Sequence, residues 1–441
     1  MASYLLRNSP VPTSEKKFTF STWLKLSSVS TAADNGIVEW YKSSSERHQI
    51  LIDSATRQLR CYSVEGGVVK INIYSDIALR DCHGWYHIVI QSDNTLASSS
   101  DRFKLWVNGV AQTFASYSWT FAQNVNINVF DGSGTRLNLG TRGEAYATWL
   151  NGYLADTYYI DGSIIAHTEF GETDATTGIW KPKTEPTIAS FGNAGVHLKY
   201  ENSGNIGLDS SGNGNNFSTS GTITQTVDTP SNVFATLNGI NTSTSVTLAN
   251  GNTKGSTTSS GWVGSASSLG FQKGFSAYWE AKCLSSTRLY FGLSRLEDYD
   301  IITGTTTEGQ SNLDYMWRLT TANSIYYRGS NVGATYSVVS TGDIISCKVD
   351  ADGTVKFYKN DSLVHTFSTP LVDGYYYFPI IGLNAIGGGT ESLACNFGNG
   401  YFETTAVSSA NSDAAGQGIF EYDTKSGYAI CTKNINTQEY A

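Results

Sequence analysis

Charge is scarce in this chain of 441 residues: Asp, Glu, Lys and Arg together make up 15% of it, against about 25% in an average globular protein. Helix surfaces are normally covered by those residues, so their scarcity disfavours helical bundles and coiled coils. Methionine occurs only twice and proline seven times. The net charge is −9, with no basic run and no interleaving of basic and aromatic residues, which argues against a nucleic-acid partner, so none is expected. No stretch approaches the roughly 18 apolar residues of a membrane span, so no membrane insertion is expected. The opening residues, Met1 to Pro10, carry a two-residue apolar stretch and no basic leader. That is not a secretory signal, and the chain is expected to fold in the cytoplasm of the cell that makes it.

Clustered cysteine is also missing. Cys61, Cys82, Cys283, Cys347, Cys395 and Cys431 are scattered without a C-x-x-C spacing, which argues against both a disulfide framework and a zinc site. Several fall in apolar runs such as 343–349, as small buried hydrophobes do. No cofactor is expected.

What the chain has instead is 44 Gly, 26 Tyr, 19 Phe and 10 Trp, with Ser, Thr and Asn supplying its polarity. Aromatic and β-branched residues between turn formers predict many short strands. Phe18, Phe20, Leu24 and Leu26 share one face of a period-2 pattern, and Trp85 to Ile90 reads as a strand buried on both faces. Phe103 to Val107 runs into Asn108-Gly109, a strong two-residue hairpin signal. A second hairpin is expected from Thr354–Tyr358 and Leu363–Phe367 around Lys359-Asn-Asp361. Tyr375 to Ile381 reads as a strand in which Pro379 marks a bulge or an edge. Helix is limited to possible turns near Ile164–Phe170 and Leu296–Tyr299. Turn signals every 8–12 residues give the rhythm of sandwiches, so the expected fold is all-β, two antiparallel β-sandwich (jelly-roll) domains in tandem. The boundary falls between 1–225 and 226–441. The Gly/Ser/Thr-rich stretch 238–261 is read as a strand-bearing start of the second domain, because Thr244, Val246 and Leu248 alternate in it.

The first block carries several phrases in a fixed order. They are His83-Gly-Trp-Tyr-His-Ile-Val, Arg102-Phe-Lys-Leu-Trp-Val-Asn-Gly109, Tyr153-Leu-Ala-Asp-Thr-Tyr-Tyr-Ile-Asp-Gly162, the run from Phe170 to Lys183, and Leu208-Asp-Ser-Ser-Gly-Asn-Gly-Asn-Asn-Phe217. Together they resemble the concanavalin-like, laminin-G-type module of structural proteins from tailed phages, marine and cyanobacterial ones especially. The second block is similar to an SPRY-type sandwich. Its phrases include Gly274-Phe-Ser-Ala-Tyr-Trp-Glu280, Leu289-Tyr-Phe-Gly-Leu-Ser294, Gly342 to Gly353, Phe357-Tyr-Lys-Asn360 and Ala394-Cys-Asn-Phe-Gly398. This resemblance, spanning about 17–435, implies an exterior virion protein assembled in the host cytoplasm. Expected partners are other virion proteins and host-surface carbohydrate, with an oligomer expected.

Catalytic patterns are weak. The six histidines form no H-E-x-x-H motif, and His83 and His87, four apart on a strand, would sit too far apart for one zinc. Asp350-Ala-Asp352-Gly353 opens like a calcium loop, but Val355 and Asp361 stand where that loop needs Gly and Glu, so a hairpin turn is expected. Gly387-Gly-Gly-Thr390 lacks the Lys of a phosphate loop. Asp209 to Asn215 offers hard oxygen ligands for calcium, yet Gly212 and Gly214 equally suit a tight structural turn. Asp156 and Asp161 could form an acid–base pair, although on a strand they point to opposite faces. No catalytic residue and no metal ligand is therefore assigned. Trp40, Tyr41, Tyr117, Trp119 and Trp149 are candidates for stacking on sugar rings, with Tyr117, Trp119 and Phe121 expected to share the core face. The specific ligand-binding residues stay unassigned.

The expected function is a non-enzymatic virion protein on the particle's exterior, as capsid decoration or tail appendage, adhering to host-surface glycans. The absence of heptads or a β-helical shaft favours decoration, and recognition-type modules favour an appendage. A polysaccharide-cleaving depolymerase and a purely structural decoration protein are the alternatives.

Overall fold

The computed structural model describes residues 3–28, 33–143, 148–285, 288–295, 313–319, 324–332 and 338–439. The chain divides into two compact units, 1–225 and 226–441. Both are built almost entirely from antiparallel strands, and the tandem all-β sandwich architecture expected from the sequence is the one observed.

In the first unit an eight-stranded sheet faces a six-stranded one. The central strand of the smaller sheet, Lys17–Leu26, is paired on one side with Gly152–Asp161 and on the other with Trp85–Asp93. Phe18, Phe20, Leu24 and Leu26 enter one core with Ile88, Ile90, Leu105 and Val107. The larger sheet answers with Val38, Trp40, Ile50, Ile52, Leu59, Cys61, Ile71 and Ile73. Trp85–Asp93 is buried on both sides, because Val89 packs into a second cluster with Tyr158, Ile160 and Phe170. That cluster is roofed by the segment that follows Asp161, including the hairpin of Gly171–Thr173 with Trp180–Pro182.

The second unit repeats the plan with two seven-stranded sheets. Trp279, Phe291, Trp317, Cys347, Phe357, Ile381, Leu393 and Cys395 fill its core. All six cysteines are buried thiols. Both hairpin turns are of the left-handed kind that matches strand twist: Asn108 and Gly109 lie at φ 49° and 75°, Asn360 and Asp361 at 45° and 68°.

Some details differ from expectation. Pro379 lies in a central strand, Tyr377–Leu383. The irregularity is in its neighbour, where four residues separate Ala266 from Phe271 but only two separate their partners Ile380 and Tyr377. The missing N–H of Pro379 therefore falls where the neighbouring strand has bowed away. In 238–261 the strands are Leu237–Thr242, Thr247–Ala249 and Lys254–Thr257. Val246 is buried, but Thr244 is exposed in the turn closed by Val246 N–H on Ser243 O, so the alternation does not run through it. The turn near Ile164–Phe170 is a 3₁₀ turn at His167–Glu169, and Leu296–Tyr299 lies outside the described residues. One α-helix was not anticipated, Thr432–Glu439; its polar sequence, TKNINTQE, has no apolar period to announce it.

Candidate functional site

The carboxylates singled out in the sequence are each occupied locally. Asp156 sits at a bulge with φ 47°, where the register against Lys17–Leu26 shifts. Its Oδ1 lies 2.7 Å from His197 Nε2. Asp161 instead accepts the backbone N–H groups of Thr13, Ser14 and Ala194. One acid holds a histidine and the other ties down loops, so they do not converge on a shared substrate.

The Asp209–Asn215 turn is filled by the protein's own donors. Asp209 Oδ1 accepts from the N–H groups of His197 (3.0 Å) and Ser211 (2.9 Å). Its Oδ2 accepts from the Ser211 hydroxyl (2.9 Å) and Asn215 N–H (2.8 Å). Asn213 and Asn215 donate their side-chain amides to the carbonyls of Gly192, Asn193 and Gly195. Gly212 and Gly214, at φ 92° and 72°, supply the left-handed positions. The oxygens a calcium ion would need are thus committed to N–H and O–H donors. Asp350 likewise accepts from Lys348 and Lys356 while its backbone closes a turn with Gly353 and Thr354. The glycines of 387–389 form an exposed turn. Among the described residues, no three His, Cys, Asp or Glu side chains gather as a metal site.

His83 precedes the strand that starts at Trp85, so it does not share a strand face with His87. It lies between Asp81 (3.5 Å) and Cys82 Sγ (3.5 Å). Burial lowers its pKa, but Asp81 and Cys82 outweigh this and raise it to about 9. This Asp–His–Cys chain has a nucleophile's components, yet Cys82 is 1% exposed within the core, where no substrate reaches the sulfur. His87 is buried between Trp23 and Trp180, with ring centroids at 4.5 and 6.0 Å. Its Nδ1 accepts from Trp180 Nε1 (3.0 Å) and its Nε2 lies 2.9 Å from Ser21 Oγ, so the ring is neutral with its proton on Nε2. Burial, with a smaller contribution from His167, lowers its pKa to about 3. The stack continues through His167 to Trp106. Gly109 and Gly171 have no room for a Cβ, which would lie 2.5 Å from the Trp180 ring. Trp180 is thus a clamp that holds its hairpin over the sheet.

Of the aromatics proposed for sugar stacking, Trp40 is corrected to core: it is 1% exposed and packed on Phe18, Phe130 and Tyr159. Trp119 is buried with its N–H on Asn94, and Phe121 lies beside it. Tyr117 is half-buried against the same core, its hydroxyl donating to Ser99 O. Tyr41 is half-buried under Arg136. Only Trp149 of the five is well exposed, at 39%.

A surface missed by that reading lies on the solvent face of the eight-stranded sheet. In Gln58–Glu65, Leu59 and Cys61 point into the core, which turns Arg60 and Tyr62 outward. In Val68–Ala78, Ile71 and Ile73 point inward and Asn72 and Tyr74 outward. Register sets Arg60 opposite Tyr74 and Tyr62 opposite Asn72. The guanidinium carbon of Arg60 is 4.4 Å from the Tyr62 ring centroid and 4.8 Å from that of Tyr74. Its Nε donates to Asn72 Oδ1 at 2.9 Å. Arg47 approaches the Tyr62 ring to 5.6 Å, and the Asp53 carboxylate lies close enough to Tyr74 to act on its hydroxyl. On the next strand the exposed Ser116 and Ser118 stand opposite Tyr74 and Asn72. Rings, hydroxyls, an amide and a guanidinium on one face are suited to binding. A separate groove of about 390 Å³ is lined by residues from Lys199 to Ser210, with Glu201 its sole carboxylate.

This face lies inside the stretch that matches a family model. Residues 2–158 match the model of the concanavalin A-like lectin/glucanases superfamily, laminin-G type. No curated protein matches the chain. Among solved structures, the SPRY domain of human HERC1 is 18% identical, covering 36% of this chain and 96% of that one, with a TM-score of 0.30. A human SPRY domain is 17% identical, covering 34% and 94%, with a TM-score of 0.27. An SAP-like pentraxin from Limulus polyphemus is 14% identical, covering 38% and 73%, with a TM-score of 0.27.

Proposed function

We propose that the protein is a non-enzymatic adhesion protein on the exterior of a tailed-phage virion, where it holds host-surface glycans. The observation that carries this reading is the open Arg60–Tyr62–Asn72–Tyr74 face within a lectin-like domain. Aromatic rings supply apolar area for the faces of sugar rings, and amide, hydroxyl and guanidinium groups supply hydrogen bonds to their hydroxyls. The phage setting rests on the ordered phrases in the sequence, which resemble those of phage structural proteins. The depolymerase alternative needs two carboxylates about 5–9.5 Å apart or an equivalent cluster. The acids nearest to such a role, Asp156 and Asp161, are tied to separate partners.

The test is to incubate the full chain with host-envelope polysaccharide, measuring binding and new reducing ends together. Saturable binding without release is expected. Sustained release would establish a depolymerase, and neither signal would leave a structural decoration role. Immuno-electron microscopy of intact particles places the protein on head or tail, and its absence from purified virions would refute the virion assignment.

A further inference from the structure

The guanidinium of Arg60 is fixed in place before any ligand arrives. Two tyrosine rings flank it and Asn72 takes its Nε–H. Its two terminal nitrogens meet no acceptor among the described residues. Two other guanidinium groups of this chain are held by acceptors: Arg102 donates to the carbonyls of Leu96, Ala97 and Phe121, and Arg295 to Asp314. The carboxylates near Arg60 are already engaged. Asp53 accepts from the N–H groups of Ala55 and Thr56 and from the Thr56 hydroxyl, while Asp34 pairs with Arg142 and accepts from Ser54 N–H.

An immobilised guanidinium with free parallel N–H donors fits a group that offers two oxygens in one plane. The neighbouring rings, Ser116 and Ser118 fit a sugar bearing that group. We propose that this face binds an acidic polysaccharide, with a sugar carboxylate or sulfate seated on Arg60; this rests on the glycan-adhesion reading and narrows it to one ligand class. The chain's net charge of −9 repels a polyanion at long range, so affinity here comes from contact rather than from steering.

The experiment measures equilibrium binding of the full chain to immobilised alginate, dextran sulfate and neutral dextran, for wild type, Arg60→Gln and Arg60→Lys. Wild type is expected to bind at least one acidic polymer saturably, and the polymer it prefers identifies carboxylate or sulfate as the natural group. Arg60→Gln should weaken that binding about 10–100-fold, the span of one or two charge-assisted hydrogen bonds. Arg60→Lys keeps the charge but not the fork, and should also bind more weakly. Melting temperature provides the folding control, and the lysine variant keeps the test valid should the glutamine variant be unstable. Acidic-polymer binding that survives both substitutions would overturn the proposal. Binding to dextran alone would overturn it while leaving glycan adhesion intact, and binding to none of the three would also overturn it, with adhesion then judged by the envelope-polysaccharide assay.

Discussion

Replacing His87 with asparagine removes a titratable ring from the Trp23–His87–Trp180 stack while leaving an oxygen in reach of Trp180 Nε1. The native ring must be neutral, because its Nδ1 accepts that N–H and a second proton there would oppose it. Its folded pKa of about 3 lies below the ordinary histidine value of 6.5. The unfolded chain therefore takes up a proton as pH falls below 6.5 and the folded chain does not, so stability is full above 6.5 and is lost as pH falls toward 3. Between pH 7 and 5 this costs about 2 kcal/mol, a figure set by the unfolded value so long as the folded pKa stays well below 5. His48, buried among Phe18, Trp40 and Phe130, also has its pKa lowered to about 3 by burial and adds a similar amount. Buried Glu39 acts in the opposite sense, since burial raises its pKa and its folded form gains relative stability on acidification. A comparison of variants cancels that contribution. Urea unfolding at pH 7 and pH 5, read by tryptophan fluorescence, should show His87→Asn less stable than wild type at pH 7. It should also lose about 2 kcal/mol less between the two pH values. Equal losses in both proteins would refute the neutral, clamped histidine.

Gly171→Ala places a Cβ 2.5 Å from the Trp180 ring and should cost about 1–3 kcal/mol by overpacking, measured as a lower urea midpoint. Glu280→Ala leaves the N–H groups of Glu421 and Tyr422 without the carboxylate they share with Tyr278 and Asn396. It should destabilise the second unit by about 3 kcal/mol or more and speed proteolysis within 398–431, seen by mass spectrometry of limited digests. The Asp209 carboxylate is filled by internal donors, so EDTA and added calcium should leave the melting temperature unchanged, and a calcium-dependent rise would contradict this.

The strand pattern and the hairpins were legible because they are local. Asn108-Gly109 and Asn360-Asp361 adopt the left-handed turns their residue types favour, and Phe18 to Leu26 alternates over one sandwich core. The face proposed for binding was not legible, although its facing residues are only 10–14 positions apart. Arg60 meets Tyr74, and Tyr62 meets Asn72, only once a register interrupted by bulges has been fixed, and an isolated Arg or Tyr on a strand carries no sign of its neighbour. Trp40 misled for a related reason: its neighbour Tyr41 is half-buried, and two adjacent strand aromatics do not reveal which one faces the core. The Trp180 clamp joins residues 93 positions apart, and the Asp156 bulge depends on a pairing partner that the strand's own sequence does not name.

The most direct measurement is a titration of the full-length protein against purified host-envelope polysaccharide, followed by sizing of the polymer. Saturable binding with the polymer's length unchanged is the expected result. Absence of saturable binding, or shortening of the polymer, would contradict the assignment of a non-enzymatic glycan-adhesion protein.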